Sequence, residues 1–228
     1  MRVRVATTAL GITAALLALP ACSTTTGIRQ ASAARAGKPS GSVQETTVLS
    51  SAALKSRLLD PSDLGSGYLP KPERPARHDD VTVIGCPALS ELGGDAATGG
   101  TLAFPRKAKA DFTYAGTSSE ISEELYSDSA WKLSDGIDRI FDAMTGCPTY
   151  QIVSGGTLVD VASQKLTAPG ADGDQQWSQL LTFTAAGRSS VVKQTAIRDG
   201  NLLVIVSGSP ALVDRYLDKA LAKATATS

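Results

Sequence analysis

The sequence is poor in the residue types that most often build catalytic and metal sites. It contains one histidine, three cysteines and 5% aromatic residues in a chain of 228 residues. The single histidine, His78, excludes a metal site made mainly of histidines. A serine–histidine–aspartate triad would have to use His78, and no Gly-x-Ser-x-Gly turn accompanies it. The alternative is that His78 is a solvated residue of its charged, proline-rich loop, KPERPARHDD.

Neither the charges nor the apolar runs indicate nucleic-acid binding or a membrane-spanning helix. The 22 Lys and Arg residues balance 22 Asp and Glu residues, and no basic stretch is interleaved with aromatic residues. Because such a stretch is the usual footprint of nucleic-acid binding, no nucleic-acid partner is expected. No motif indicates a cofactor. The apolar run at residues 5–19 is shorter than the roughly 20 residues that cross a bilayer.

The amino terminus has the pattern of an export signal. Two arginines precede the apolar run, as in secretory signal peptides. The four residues LPAC, which end at Cys22, resemble the bacterial lipobox. That resemblance implies that residues 1–21 are removed and that Cys22 carries a diacylglyceryl group. The alternative is a plain secretory signal with an incidental cysteine, but Leu19 stands where that signal needs a small residue.

Behind Cys22 the composition predicts a disordered tether and then one domain. Residues 23–45 are mostly Ser, Thr, Ala and Gly with scattered charges, and such a segment buries too little apolar surface to fold. The remaining residues, 46–228, suit a single domain. We therefore expect a lipoprotein that is lipid-anchored to the extracytoplasmic face of the cell membrane, with residues 22–45 as its lipidated tether.

The two other cysteines, Cys86 and Cys147, are expected to form a disulfide bond. Each lies in a Gly-Cys-Pro turn, and they are 61 residues apart. Thiols outside the cytoplasm can be oxidised. The alternatives are a metal pair and a free redox thiol, but no His, Asp or Glu flanks either cysteine at ligand spacing. No metal site is therefore predicted.

The periodicity of the domain predicts an α+β fold, an antiparallel sheet packed by helices on one side. Residues 201–206 contain LLVIV, which is apolar at every position and indicates a central strand covered on both faces. Residues 60–80 are rich in Pro and Gly and are predicted to be a loop. The predicted helices are 51–59, 87–92, 129–145 and 210–221, and the predicted strands are 101–104, 110–114, 121–126, 150–153, 157–161, 177–184, 190–197 and 201–206.

The clearest predicted helix is 129–145. Asp128 is its candidate N-cap, and Gly146 is the candidate residue that follows its end. Cys147 would then lie just past the helix. The apolar residues form one stripe at the helical period: Leu133, Ile137, Ile140, Phe141 and Met144.

A few residues are candidates for chemistry or for a pocket. Three acids in or beside one predicted strand could pair for acid–base work, although a solvated strand edge or a helix start explains them as well; they are Glu120, Glu123 and Glu124. Asp172 and Asp174 resemble the start of a calcium loop, but its further acids and distal glutamate are missing, so an exposed turn is favoured. Three aromatic residues could line a pocket or pack in the core: Tyr68, Trp131 and Trp177.

The order of these features resembles the PknH-like extracellular, or sensor, domain of exported actinobacterial lipoproteins and kinase ectodomains. A leucine-rich segment leads to DLGSGY at residues 63–68, then to Cys86 and a proline, a helix that ends at Cys147, and hairpins before a C-terminal helix. The resemblance covers residues 46–226. It implies a domain that senses or binds an extracellular ligand. The kinase ectodomain has two disulfides where this chain can form one, so no binding residue is carried over.

We therefore expect a membrane-tethered binding or sensing module and not an enzyme. The candidate ligand surface is the loop at residues 60–80, where Tyr68 accompanies Arg74 and Arg77, and where four prolines limit the entropy lost on binding. The alternative is a loop that only connects its neighbours. Two other functions stay open: a scaffold for another envelope protein, and a lipoprotein hydrolase in which carboxylates such as Glu123 and Asp135 converge.

Overall fold

The structure is a computed structural model that describes residues 47–72, 81–93, 96, 104–117, 119–168 and 170–226. Within these residues nine strands form one antiparallel sheet. The strands are β1 (Tyr68–Lys71), β2 (Val81–Ile84), β3 (Lys107–Tyr114), β4 (Glu120–Ser127), β5 (Thr149–Ser154), β6 (Thr157–Lys165), β7 (Gln175–Ala185), β8 (Arg188–Asp199) and β9 (Leu202–Gly208).

Five helices within the described residues pack on this sheet and confirm the predicted α+β class. None of these helices has the length and apolar character of a membrane span. The helices are α1 (Ser51–Lys55), α2 (Pro61–Leu64), α3 (Pro87–Leu92), α4 (Ala130–Gly146) and α5 (Pro210–Thr225).

The last strand of the chain lies in the interior of the sheet. The strand order is β1-β3-β4-β9-β8-β7-β6-β5-β2, so β9 runs between β4 and β8. All five residues from Leu202 to Val206 are buried. This confirms the prediction of a strand that is covered on both faces.

Helices pack on both faces of the sheet, so the prediction of helices on one side was wrong. Successive residues of a strand point to opposite faces. Val204 packs in an apolar cluster with Leu217 of α5, whereas Leu203 packs in another with Ile137 of α4. We call these the first face and the second face, respectively. A strand that is apolar at every position leaves apolar surface in water unless each face has its own cover.

The predicted disulfide bond between Cys86 and Cys147 is confirmed. The two sulfur atoms are 2.03 Å apart and the two Cα atoms 5.8 Å apart. Cys86 is the N-cap of α3 and Cys147 is the C-cap of α4. The bond therefore joins the start of one helix to the end of the other, within an apolar cluster that includes Leu89 and Met144.

Helix α4 matches its predicted range to within one residue at each end, and four of the five residues of its stripe are buried. Its caps differ from the prediction, since Ser129 is the N-cap and Gly146 is the last helical residue. Asp128 instead accepts a hydrogen bond from Ser129 N–H at 2.7 Å and pairs with Lys132 at 3.6 Å.

The segment at residues 51–80, predicted as one helix and a loop, is divided differently. Helix α1 ends at Lys55, and Asp60 then begins α2. The Asp60 carboxylate accepts from Ser62 N–H at 2.8 Å, and the Asp63 carboxylate accepts from Asp60 N–H at 2.9 Å. Because proline fits the first position of a helix, the Asp-Pro pair begins a second helix here. Strand β1 follows and pairs with β3.

The other predicted elements are found close to their predicted positions. The β5–β6 hairpin turns at Gly155 and Gly156, and β8 leads into β9 through Gly200. Residues 101–103 of one predicted strand lie outside the described residues. The signal peptide, Cys22 and the tether also lie outside them.

Candidate functional site

Tyr68, the aromatic residue of the predicted ligand loop, lies in the core. Its side chain is on the first face, and its ring centroid is 5.1 Å from that of Tyr114 and 5.7 Å from that of Tyr216, in edge-on contacts. Burial raises the pKa of Tyr68 to about 12. Arg74 and Arg77 lie outside the described residues, as does His78, so the binding role of that loop stays a prediction.

The three candidate acids of β4 do not form an acid–base pair. Glu123 is on the first face and Glu124 on the second, because neighbouring strand residues point apart. Glu120 pairs with Lys71 at 2.6 Å. Asp135 is exposed on α4, on the opposite side of the sheet from Glu123. The pair required by the hydrolase alternative therefore does not converge.

The remaining candidates have ordinary structural roles. Asp174 accepts from Arg198 Nη1 at 2.8 Å and from Gly200 N–H at 3.0 Å, which anchors a turn. Within the described ranges, no group of three or more His, Cys, Asp or Glu side chains is placed to hold a metal ion. Trp177 is buried, and its Nε1 donates to Asp138 at 2.7 Å. Trp131 is 68% exposed, so it does not pack in the core.

A row of polar side chains crosses the second face on six neighbouring strands. Residues directly opposite each other in antiparallel strands have their side chains on the same face. The register pairs each of these residues with the next one. We call the six residues the polar row, and in order across the sheet they are Asp111, Ser122, Ser207, Gln194, Gln179 and Lys165.

The polar row interrupts a face that is otherwise largely apolar. On β7 the residues that face this side are Trp177, Gln179 and Leu181, and the two apolar residues belong to different clusters. The sequence of β7 already shows this pattern, because Gln179 occupies a position where the alternation of the strand predicts an apolar residue. It was not identified as a site, because one glutamine alone does not reveal its neighbours on other strands.

The part of the polar row on β7 is buried beneath α4. Gln179 is 1% exposed, and its Nε2 donates to Gln194 Oε1 at 2.8 Å and to Met144 Sδ at 3.3 Å. Neither Gln179 Oε1 nor Ser122 Oγ, both buried atoms, has a hydrogen-bond partner among the described residues. Each buried polar atom left unpaired costs about 1–3 kcal/mol. The row thus retains hydrogen-bonding capacity that the fold leaves unused.

Charged groups flank the β3 end of the polar row. Lys109 Nζ is 2.8 Å from Glu124 Oε1 and 3.7 Å from Asp111 Oδ1. The Tyr126 hydroxyl donates to the second oxygen of Glu124. The side chain of Glu124 is 6% exposed, whereas that of Asp111 is 22% exposed. Asp111 therefore presents a carboxylate at the more open end.

Strand β9 is shorter than its neighbours and leaves a notch beside the polar row. It ends at Gly208, which lies opposite Ile121 of β4 and Lys193 of β8. Strand β8 extends past that point to Arg188, so the space between β4 and β8 opens into a groove of about 290 Å³. The residues on the second face that line this notch are Asp111, Glu120, Ser122, Ser190, Val192 and Ser207, and the Glu120 carboxylate is paired with Lys71.

Gly208 allows the chain to leave the sheet at the notch. Its φ is +144°, and a Cβ atom there would be 2.2 Å from the carbonyl oxygen of Glu120. Ser209 N–H donates to that same oxygen at 2.9 Å, and α5 begins at the next residue. Only glycine fits this close approach of β4 and β9. The notch therefore follows from the way β9 passes directly into a helix on the first face.

The same fold is found in a solved protein. The crystal structure of the extracellular domain of PknH from Mycobacterium tuberculosis aligns with a TM-score of 0.58 and 15% sequence identity, over 78% of this chain and 97% of that one. The structure of an Rv0999 ortholog from Mycobacterium smegmatis aligns with a TM-score of 0.39 and 13% identity, over 72% and 93%. No protein-family model and no curated protein matches. The chain has the fold of the PknH extracellular domain, as its sequence features led us to expect.

Proposed function

We propose that this chain is a cell-envelope lipoprotein whose extracytoplasmic domain binds or senses a ligand without catalysis. The export signal and the LPAC sequence support an anchor at Cys22, and the composition of residues 23–45 supports a tether. A structural disulfide fits a compartment outside the cytoplasm. The fold shared with the extracellular domain of PknH fits the same location.

The observation that carries the binding function is the polar row where it meets the notch. A stable sheet face beneath a helix is normally apolar, and buried polar groups are normally paired. Here Gln179 and Ser122 each leave a buried oxygen unpaired within the described part of the chain. A polar ligand in the notch would supply a partner for Ser122, which lines it, whereas Gln179 continues the row beneath α4. The row therefore has the character of a binding surface that the fold maintains at a cost in stability.

The placement of the carboxylates supports binding over catalysis. Glu124 is held by Lys109 and by the Tyr126 hydroxyl, and Glu123 is on the other face of the sheet. General acid–base catalysis needs two groups within reach of one substrate. Asp111, at the open end of the row, is well placed to accept hydrogen bonds from a ligand.

A second candidate function is a scaffold for another envelope protein. It is favoured by apolar side chains on the half of the first face that no described helix covers: Ile84 is 46% exposed and Leu158 is 49% exposed. Exposed apolar patches of sufficient area mark interaction surfaces. If this function is correct, Leu158→Lys should weaken capture of the protein partner, and changes in the polar row should not.

The anchor is tested by replacing Cys22. The wild type should incorporate labelled palmitate and sediment with membranes, whereas Cys22→Ser should do neither, because its hydroxyl cannot take the thioether-linked diacylglyceryl group. Inhibition of the lipoprotein signal peptidase should make wild-type precursor accumulate. Cys22→Ser should keep the Cys86–Cys147 bond, which controls for misfolding. A wild type that takes up no palmitate would contradict the proposed anchor.

The binding surface is tested with the double variant Asp111→Asn and Ser207→Val. A hydrogen bond to a charged group is worth about 1.5–3 kcal/mol, so binding of a component captured from an envelope extract should weaken at least about tenfold. The thermal midpoint should change little, since neither residue belongs to an apolar cluster. Isothermal titration calorimetry gives the affinity and differential scanning calorimetry the midpoint.

The matched control is Asp135→Asn with Thr157→Val, which likewise removes one carboxylate and one hydroxyl, here at exposed positions of α4 and β6. It should bind like the wild type. The pair Arg74→Ala and Arg77→Ala tests the loop predicted from the sequence. Loss of binding in that pair, together with full binding in the polar-row variant, would place the site at the loop.

A further inference from the structure

Hydroxyl groups are the most numerous polar side-chain groups of the notch. Four serines line it together with the carboxylates of Asp111 and Glu120, and Glu120 is paired with Lys71; the serines are Ser122, Ser190, Ser207 and Ser209. A serine hydroxyl both donates and accepts, and a carboxylate only accepts. A ligand that satisfies these side chains therefore needs groups that both donate and accept hydrogen bonds. It also needs two donors close enough together to bond to the two oxygens of one carboxylate. Hydroxyl groups on neighbouring carbon atoms meet both requirements.

The backbone of β8 adds an edge with both donors and acceptors. Strand β8 pairs with β7 from Arg188 onward, but with β9 only from Lys193 onward. No strand of the described residues pairs with the other edge of residues 188–192, and three of these residues line the notch. Along a free strand edge, N–H and C=O groups alternate. Such an edge can accept hydrogen bonds from ligand hydroxyls and donate to them. Because its groups are uncharged, it favours neither an anionic nor a cationic ligand.

The fixed charges around the notch disfavour an anionic ligand. Three lysines stand near it, and each is within ion-pair distance of a carboxylate. Asp111 adds a further negative charge at the notch itself, so a phosphate or carboxylate ligand would be repelled. The three ion pairs are Lys71 with Glu120, Lys109 with Glu124, and Lys193 with Asp214.

Apolar side chains and the volume of the notch limit the ligand further. Val192 lines it on the second face and suits the C–H face of a saturated ring, whereas Phe112 and Ile121, which also line it, are buried in the apolar cluster of the first face. The volume of about 290 Å³ lies at the lower end of the roughly 300–1,000 Å³ of ligand pockets. The space therefore suits one or two rings and excludes a long chain.

We propose that the notch binds a neutral sugar unit of one or two rings, with its hydroxyls on Asp111, Ser190 and Ser207. This inference rests on the proposed ligand-binding function and names the chemical class of the ligand. Because sugar hydroxyls exchange hydrogen bonds with water for similar ones with protein, the dissociation constant for a single methyl glycoside is expected on the order of 1 mM.

The test is saturation-transfer NMR on the full mature chain carrying Cys22→Ser. The probes are the methyl glycosides of mannose, glucose, galactose and arabinose, with mannose 6-phosphate and spermidine as charged comparators. At least one neutral glycoside should show saturation transfer, and mannose 6-phosphate should bind less well than methyl mannoside. Asp111→Asn should reduce the signal of the bound glycoside at least about fivefold, and Ser190→Ala should also reduce it.

Ser190 is exposed on β8, so its replacement keeps the test valid if Asp111→Asn folds poorly. Binding of only the phosphate or only the amine would overturn the proposal, as would glycoside binding that both variants leave unchanged. Failure of every glycoside would overturn it too. An envelope component could in that case still bind to the wild type and bind less to the Asp111→Asn and Ser207→Val variant. The proposed ligand class would then be wrong, and the proposed binding function would stand.

Discussion

Replacing Cys86 and Cys147 together by alanine is expected to lower the free energy of unfolding by about 4 kcal/mol. The bond joins residues 61 apart in sequence, and in the chain-entropy model a loop of that length restricts the unfolded chain by about this amount. The closed loop contains β3, β4 and α4, so the restriction acts on the strands that carry two of the six residues of the polar row. A loss of this size is a large part of the roughly 5–15 kcal/mol that stabilises a typical domain.

Urea unfolding of oxidised wild type, reduced wild type and the double variant measures this effect. Reduced wild type and the double variant should agree to within about 1 kcal/mol, since both lack the same restriction. That agreement controls for the packing of Cys86, which is 1% exposed. A double variant as stable as the oxidised wild type would show that the bond contributes nothing to stability.

Raising the pH from about 4.5 to 8 is expected to lower the free energy of unfolding by about 3 kcal/mol through Glu123 alone. Glu123 is fully buried on the first face, where its Oε2 accepts from Leu59 N–H at 2.5 Å. Its Oε1 has no partner among the described residues. Burial raises the pKa of Glu123 from 4.5 to about 7, against the opposing effects of the Leu59 N–H and of Lys223 on α5.

The sign follows from the two pKa values of Glu123. Between pH 4.5 and 7 the folded protein keeps a proton that the unfolded chain has lost, so stability falls as the pH rises and becomes level above about pH 7. The two pKa values differ by about 2.5, and each pH unit corresponds to about 1.4 kcal/mol, so the full effect is about 3.5 kcal/mol, of which about 3 kcal/mol falls above pH 4.5. The effect is opposite to that of Asp174, whose pKa is lowered by the hydrogen bond from Gly200 N–H.

The variant Glu123→Gln isolates this contribution, because it keeps the size of the side chain and an acceptor for Leu59 N–H but does not ionise. The free energy of unfolding of the variant minus that of the wild type should rise by about 2–3 kcal/mol between pH 5 and pH 8. Taking this difference removes the contributions of the other carboxylates. A difference that stays constant over this pH range would show that the pKa of Glu123 is not raised in the folded protein.

The strongest sequence patterns correctly predicted the elements that build the sheet. The apolar stripe of α4 and the LLVIV segment of β9 each result from burial of a regular element, and burial leaves a periodic pattern in one segment. The disulfide was also predicted from local features. An export signal indicates an oxidising compartment, and the residues around the two Gly-Cys-Pro turns do not suit a metal site. These inferences needed no knowledge of how distant segments meet.

The segment around Asp60 was predicted less well, because the same residues both end and begin helices. An Asp-Pro pair stops a preceding helix, yet Asp60 also forms a capping box with Asp63 that begins α2. Burial of both faces was predicted for β9, but helices were predicted on only one side of the sheet. A strand that is apolar on both faces, such as the LLVIV segment, requires helices on both sides.

The candidate site was not predictable from the sequence, because it exists only in the register between strands. Asp111 and Ser207 are almost a hundred residues apart in the chain, yet the register of β3, β4 and β9 brings them into one row. A single serine or glutamine in a strand carries no signal of its own. The burial of Glu123 was hidden in the same way, since it depends on α1, α2 and α5 together.

The most direct measurement of ligand binding at the polar row is an amide chemical-shift map of the mature chain, titrated with the small-molecule fraction of an envelope extract. Binding there predicts that the largest shifts occur on β3, β4, β8 and β9, around Ser122, Val192 and Ser207. The same titration of the Asp111→Asn and Ser207→Val variant should lose these shifts. Shifts confined to residues 60–80 or to the exposed first face around Leu158, or no shifts at all, would contradict binding at the polar row.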